Sequence, residues 1–253
     1  MYSFDSRIRY SEVDESGLLR LESLIDYFQD CSTFQIEDGG IGIRYMKETH
    51  CAWLVNYWQI GIMRYPALGD RVVITTLPYE TRGFLGLRNF YMETADGERL
   101  AIANSVWSLM DLEKMAPVRV PEKMLEVFGL DRKLDMDYKS RKIAVPKHDG
   151  MARDTTVIVP AHLDSNHHVN NGQYVRFAMG IIPGNEIVTD FRIEYKKQAV
   201  LGDIVRTVDY GLELTADWQN KRLIALDSDD GSTFAVAEIV TRDRKQAEYS
   251  AWH

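Results

Sequence analysis

Apolar residues early in the chain follow a helical repeat, and this repeat predicts the first element. Positions i, i+3, i+4 and i+7 are occupied by Leu21, Leu24, Ile25 and Phe28. That spacing is typical of a helix that buries one face. A second, shorter helix is predicted at residues 174–178, because Gly180 and Pro183 follow and end it.

Strand-like runs surround each predicted helix. A short run precedes each one, at residues 7–13 and 155–159. Longer runs, separated by turn residues, follow at residues 70–76, 84–92, 100–110, 204–214, 222–227 and 234–241. Their imperfect alternation of polar and apolar residues fits sheets that are covered on one face. The pattern predicts an α+β fold of two similar halves, each a helix on a curved antiparallel sheet.

The chain also resembles itself. A shift of 150 residues places SFDSRIRYSEVDESGLLRLESLIDYF on RDTTVIVPAHLDSNHHVNNGQYVRFA, with Asp14 on Asp164. Shifts of 133 and 134 place LGDRVVIT on LGDIVRTV and DGERLAIANSVW on DGSTFAVAEIVT. Three matches in the same order favour a duplication. We predict one domain at residues 1–130, a linker at 131–154 and a second domain at 155–253.

Charge and composition exclude several classes of protein. The net charge is −8 and the pI is near 5.3, so binding to nucleic acid or an anionic membrane is not expected. No signal peptide and no membrane-spanning run is found, which predicts a cytoplasmic protein. Cys31 and Cys51 lack paired spacing, so a reducing compartment and a packing role are expected.

Residues 163–171, LDSNHHVNN, concentrate hydrogen-bonding side chains between a predicted strand and helix. Asn170 is a good cap residue, and Gln173 follows as in a capping box, so the stretch would lie at the positive end of that helix. If the stretch is extended, side chains alternate, so Asp164, Asn166 and His168 share one side. Ser165 and His167 would then face the other side.

Only the second copy carries this full set. In the first copy Asp14 keeps the acid, but Ser16 and Leu18 replace the amide and the imidazole. A thioester suits such a set because its leaving thiolate needs little protonation. His168 or Asp164 would activate a water, and Asn166 with the helix N-terminal N–H groups would hold the oxyanion.

Other interpretations of the stretch stand beside this one. His162, His167 and His168 with Asp164 are possible metal ligands, although no helical ligand spacing occurs. The asparagines also suit a simple turn and helix cap. No GxSxG motif supports a serine nucleophile. No cofactor is implied.

Four motifs together resemble the plant and bacterial acyl-acyl-carrier-protein thioesterases: LDSNHHVNN, EYKKQ from Glu194, RYPALGD from Arg64 and SVWSLMD from Ser105. The resemblance covers nearly the whole chain. It implies two hotdog domains in tandem, each a helix wrapped by an antiparallel sheet. It also implies hydrolysis of fatty acyl-acyl carrier protein to free fatty acid, with the acyl chain held in the first domain.

Carried over position by position, the resemblance makes Asp164, Asn166 and His168 catalytic. Plant members have a functional glutamate followed by a cysteine where this chain has Gln198 and Ala199. This departure removes that carboxylate as a base and excludes a cysteine nucleophile there. Gln198 would then orient the water. Glu194 is expected to be structural.

The same residues are also compatible with an acyl-CoA thioesterase, a hotdog dehydratase or a non-catalytic acyl-binding protein. The expected partner is acyl carrier protein, and the expected assembly is a monomer or homodimer. The linker's basic residues are either solvated or a docking patch for that acidic partner: Arg132, Lys133, Lys139, Arg141, Lys142 and Lys147.

Overall fold

A computed structural model describes residues 1–164, 166–217 and 219–244 of the chain. Two compact units make up the chain, the first ending at Tyr138 and the second beginning at Lys139. This division falls inside the stretch predicted to be a linker. The last nine residues of the predicted second domain lie outside the described residues. No helix in the described part is long and apolar enough to cross a membrane.

The first unit places helices against one antiparallel sheet. Its helices are α1 Leu21–Asp38, α2 Ile43–Glu48 and α3 Glu122–Phe128. Its strands are β1 Tyr2–Arg7, β2 Cys51–Ile62, β3 Arg71–Arg82, β4 Leu85–Thr94, β5 Arg99–Asp111 and β6 Ala116–Pro117. The strand order is β1-β3-β4-β5-β2, and β6 pairs with β5.

The second unit repeats this plan with a shorter helix. Its elements are β7 Met151–Val157, α4 Asn171–Met179, β8 Glu186–Tyr195, β9 Ile204–Leu214, β10 Asn220–Ser228 and β11 Thr233–Asp243. The strand order is β7-β9-β10-β11-β8. Strand for strand this is the order of the first unit, which confirms the predicted duplication.

Helix α1 buries the face that the apolar repeat predicted. The four apolar residues of that repeat are all buried. Phe28 packs on two sheet residues, with ring centroids 6.2 Å from Trp58 and 5.4 Å from Phe90. The helix ends before Gly39 and Gly40, and Gly40 adopts a positive φ of 68°, a conformation that suits glycine after a helix. Burial of this apolar face holds the helix on the sheet.

The strand predicted at residues 7–13 is wrong over most of its length. Strand β1 ends at Arg7, and Tyr10–Glu12 forms a short 3₁₀ helix. The Arg9 N–H donates to the Glu12 carboxylate at 2.8 Å. Such local side-chain bonds compete with the ladder of a sheet, and alternation in sequence does not reveal them.

The stretch predicted as a linker is partly structured. Strand β7 begins at Met151, four residues before the predicted start of the second domain. Tyr138 donates its hydroxyl to Asn89 at 2.9 Å, and Ile143 is buried in the second unit against Ala225 and Val236. The charged composition alone suggests a solvated segment, because the few residues that attach the stretch to the fold hardly change its average composition.

Candidate functional site

A tight turn carries the predicted polar residues into helix α4. The Asp164 N–H donates to the His168 carbonyl at 2.8 Å, and the His167 N–H donates to the Asp164 carbonyl at 3.1 Å. Asp164 Oδ1 accepts the N–H groups of Asn166 at 2.8 Å and His168 at 3.3 Å. The carboxylate therefore holds the turn closed around Asn166 and His168.

The same turn is built in the first unit. The Asp14 N–H donates to the Leu18 carbonyl at 2.8 Å, and the Gly17 N–H donates to the Asp14 carbonyl at 3.0 Å. Asp14 Oδ1 accepts from Ser16 at 2.9 Å and from Leu18 at 3.1 Å. The first unit forms these bonds although it lacks the amide and the imidazole. The bonds of the aspartate therefore stabilise the turn.

The extended conformation assumed for this stretch is wrong, since residues 164–168 fold back on themselves. Alternation of side chains therefore does not apply here; the turn instead places the Asp164 carboxylate on the backbone N–H groups of Asn166 and His168. His167 sits at a φ of 63°, where the first unit has Gly17 at 76°. Ser165 lies outside the described residues. A turn of this kind needs one left-handed residue, and no glycine marked it in LDSNHHVNN.

The cap predicted at Asn170 is confirmed, but the capping box with Gln173 is not, because the Asn170 N–H donates to the His162 carbonyl at 2.9 Å. Asn170 precedes α4, and its side-chain oxygen accepts the Gly172 N–H at 2.8 Å. The predicted stop is confirmed as well, since α4 ends at Met179 before Gly180. The polar turn thus leads directly into the helix N-terminus, where the helix dipole favours negative charge.

Gln198 lies beside this turn, although not on a strand. Strand β8 ends at Tyr195, so EYKKQ spans the end of the strand and the following loop. The Val169 N–H donates to the Ala199 carbonyl at 3.0 Å, and Val200 forms an isolated bridge with His168. The loop therefore places Ala199 and Val200 against Val169 and His168, and Gln198 directly precedes these two residues.

Tyr174 is a site residue that sequence reasoning missed. Its hydroxyl oxygen accepts the Ala199 N–H at 2.8 Å, which ties α4 to the loop. Burial raises the pKa of Tyr174 to about 12. The matching positions of the first unit are Leu24 and Pro66, which have neither the hydroxyl nor the N–H. A comparison of the two copies would have revealed this residue.

Exposure separates the predicted residues into two sets. Asn166 and Gln198 are exposed, whereas Asp164 and His168 are half-buried. Glu194 accepts the Ile143 N–H at 3.0 Å, a contact within the second unit that fits the structural role expected of it.

The metal interpretation finds no support in the histidines. His162 accepts the Val159 N–H at its Nδ1 at 3.2 Å, and its ring packs on Phe177. Throughout residues 1–164, 166–217 and 219–244, no three His, Cys, Asp or Glu side chains are grouped to hold a metal ion. Cys31 is fully buried and burial raises the pKa of its thiol to about 12, in keeping with a packing role.

Comparisons with known proteins bear on both units. A family model described as the acyl-ACP thioesterase N-terminal domain matches residues 1–128, half of the chain. An acyl-acyl-carrier-protein hydrolase of Cuphea viscosissima is 24% identical over 220 residues, covering 79% of this chain and 52% of the relative. An oleoyl-acyl carrier protein thioesterase of Arabidopsis thaliana is 25% identical over 259 residues, covering 96% and 68%. The chain spans about half the length of the Cuphea relative.

Solved structures show the same fold. An acyl-ACP thioesterase from Bacteroides thetaiotaomicron has a TM-score of 0.84 at 18% identity, covering 95% of this chain and 97% of the other. A 12:0-ACP thioesterase from Umbellularia californica has a TM-score of 0.83 at 18% identity, covering 96% and 94%. The fold is therefore a tandem pair of hotdog domains.

Proposed function

Because the chain belongs to the acyl-acyl-carrier-protein thioesterase family, we propose that it hydrolyses the thioester of fatty acyl-acyl carrier protein. Water adds to the thioester carbonyl, the C–S bond breaks, and the products are a free fatty acid and the carrier thiol. Release of the fatty acid ends chain elongation. Acyl carrier protein is thus the proposed partner, and no cofactor takes part in this scheme.

The paired turns carry this proposal. Both units build one aspartate-closed turn with matching hydrogen bonds. Only the second unit adds Asn166 and His168 to it, next to a helix N-terminus. A turn needs neither side chain, since the first unit forms it with Ser16 and Leu18. Their presence in one copy alone points to chemistry rather than to folding.

The proposed roles follow from the chemistry of each group. His168 takes a proton from the attacking water, since imidazole is the most frequent general base in enzymes. Asn166 stabilises the oxyanion near the positive end of α4, whose Gly172 and Gln173 N–H groups are themselves bonded to Asn170. Asp164 keeps the turn closed and so positions both residues. Gln198, on the adjoining loop, orients the water.

We propose a cytoplasmic location on the basis of the sequence; the Cuphea and Arabidopsis relatives are named as chloroplastic proteins.

Thiol release from acyl carrier protein loaded with chains of different length tests the proposal. We expect turnover by the natural protein and a loss of 100-fold or more, on the order of a missing general base, in His168→Ala. Leu18→Ala changes the equivalent position of the first unit and serves as the matched control, with turnover retained.

Three outcomes would count against the scheme. Absence of free thiol at every chain length would remove the proposed activity. An enoyl product without thiol release would indicate a dehydratase. Full turnover by His168→Ala would keep the proposed activity but show that His168 is not its general base.

A further inference from the structure

A buried arginine in the first unit has no acidic partner. Arg88 lies on β4 and is only 7% exposed. Its Nη1 donates to Gln35 Oε1 at 2.9 Å and to Thr76 Oγ1 at 3.2 Å. Within the described residues it forms no ion pair, and both of the acceptors that it bonds are neutral. Buried charges in proteins are normally paired, so this guanidinium requires an explanation.

Aromatic rings provide part of the environment of Arg88. Its guanidinium carbon lies 5.2 Å from the ring centroid of Phe128 and 6.0 Å from that of Phe90. Burial lowers the pKa of Arg88 to about 10, so the group is still charged at neutral pH. Ring faces attract a cation, but they carry no negative charge that would balance it.

The indole of Trp58 adds a second buried donor close by. Trp58 is fully buried on β2, and its Nε1 has no acceptor in the part of the chain that the structure describes. Its ring lies 5.0 Å from that of Phe90, the ring that Arg88 also contacts. A buried N–H without an acceptor therefore lies beside the ring that Arg88 contacts. Donors that are buried without acceptors are rare and costly.

The second unit shows the same arginine with its charge balanced. Phe90 pairs with Ala103 and Ile224 pairs with Ala237, so the shared register makes Arg222 the counterpart of Arg88. Arg222 donates to both oxygens of Glu186, at 2.6 and 2.8 Å. The fold therefore accommodates a carboxylate partner at this position, and the first unit lacks one.

We propose that Arg88, assisted by Trp58, is a specificity-determining residue that selects acyl chains bearing an oxygen acceptor remote from the thioester. This rests on the proposed function and on the expectation that the first unit holds the acyl chain. The acceptor is a hydroxyl, an oxo group or a carboxylate on the chain. A carboxylate fits best, because its two oxygens match the guanidinium fork and charge-assisted hydrogen bonds are the strongest.

Competing chains on acyl carrier protein test this assignment. Saturated, hydroxylated, oxo and terminally carboxylated chains of one length are compared by kcat/KM. We expect the natural protein to favour an oxygenated chain over the saturated one. In Arg88→Met we expect that preference to fall about tenfold or more, since a hydrogen bond to a charged group is lost. Trp58→Phe keeps the ring, removes the N–H and lowers the preference by a smaller factor.

Two arginines serve as controls. Arg99→Met removes a surface arginine of the same unit, which is paired with Glu93 and stacked on Tyr91, and leaves the preference unchanged. Arg222→Met leaves Glu186 unpaired and lowers the melting temperature without changing the preference. Arg88→Met, in contrast, removes an unpaired buried charge, so we expect no comparable loss of melting temperature.

The outcomes separate this inference from the proposed function. The role of Arg88 is overturned if the natural protein prefers saturated chains, or if Arg88→Met keeps the same preference for oxygenated chains as the natural protein. Neither result contradicts the proposed hydrolysis. If no substrate is hydrolysed, calorimetry can still test the role of Arg88 by measuring the binding of a free dicarboxylic acid and of the saturated acid. In Arg88→Met only the binding of the dicarboxylic acid should weaken. Should Arg88→Met fail to fold, Arg88→Lys and Trp58→Phe give the same comparison.

Discussion

Single residues differ most where the two copies are otherwise alike. The closed turn has the same hydrogen bonds in both units, yet its left-handed position is Gly17 in one and His167 in the other. A side chain at positive φ costs about 1–2 kcal/mol in that conformation, and proteins keep such residues mainly at functional sites. The turn of the second unit thus carries a local cost that the first unit avoids.

Exchanging these two residues measures that cost. We expect His167→Gly to stabilise the protein by about 0.5–1 kcal/mol, because relief of the backbone conformation exceeds the entropy that glycine adds to the unfolded chain. Gly17→His should destabilise it by about 1 kcal/mol. A Cβ at Gly17 would meet no atom within 4 Å, so the backbone conformation alone decides. Urea unfolding provides the measurement, and equal stabilities in all three proteins would show that the turn is unstrained.

Tyr174 offers a second test at this scale. Tyr174→Phe leaves the buried Ala199 N–H without its acceptor, which we expect to cost about 1–3 kcal/mol. The loop that carries Gln198 should also loosen, so turnover falls while the His168 imidazole is retained. Urea unfolding and thiol release check the two effects. Tyr195→Phe, which changes the ring packed against Tyr174, is the comparison variant. Equal stability and turnover in Tyr174→Phe and the natural protein would contradict this link between α4 and the loop.

At the scale of elements, one ionic contact joins three strands of the second unit. Glu186 begins β8, Arg222 lies on β10, and Thr241 on β11 also donates its hydroxyl to Glu186. All three side chains lie in or close to the buried interior. Removal of one partner of such a pair costs more than the pair contributes, because a buried charge is left alone.

Acid should weaken this contact. Arg222 holds the pKa of Glu186 below its ordinary value of 4.5. A depressed pKa in the folded state stabilises the protein above that ordinary value, and the stabilisation is lost as the pH falls through the folded pKa. At neutral pH, Glu186→Gln should cost about 3 kcal/mol.

Melting temperatures measured from pH 7 to pH 3 check this expectation. The natural protein should lose more stability below about pH 4.5 than Glu186→Gln does. Glu93→Gln removes a more exposed carboxylate that pairs with Arg99, and its cost should stay below about 1 kcal/mol. Parallel pH profiles for the natural protein and Glu186→Gln would rule out this role of the pair.

For the whole molecule, net charge sets the conditions for meeting an acidic partner. The chain carries −8, so an acidic carrier protein is repelled unless basic residues are grouped locally. Arg141 and Lys142 are exposed and adjacent, whereas Lys133, although exposed, lies over the ring of Tyr138 at 3.5 Å. The adjacent pair is the better candidate for docking.

Charge reversal tests that pair. With Arg141→Glu and Lys142→Glu together we expect kcat/KM on acyl carrier protein to fall about threefold to tenfold at low ionic strength. The difference should shrink at high salt, because screening shortens the range of charge interactions. Arg44→Glu with Lys47→Glu, both exposed on α2, makes the same change in net charge and is the control. A salt-independent loss, or an equal loss in the control, would exclude docking through Arg141 and Lys142.

The sequence predicts best those features whose interacting residues lie close together in the chain. The buried face of α1 and the cap at Asn170 are confirmed because each is encoded within one or two turns of helix. The segment at residues 7–13 was misassigned because the bond between Arg9 and Glu12 overrides alternation. The closed turn at Asp164 was missed because a histidine, rather than a glycine, occupies its left-handed position.

The order of the amino acids alone encodes the duplication, the α+β plan, the helix faces and the presence of an amide and an imidazole in one copy only. Only the tertiary structure placed the Ala199 loop against Val169 and left Arg88 without the carboxylate that Arg222 has. Periodicity and caps act within a few residues, so the order of residues encodes them directly. Contacts between distant strands and loops depend on sheet register, which is decided by the packing of the complete fold.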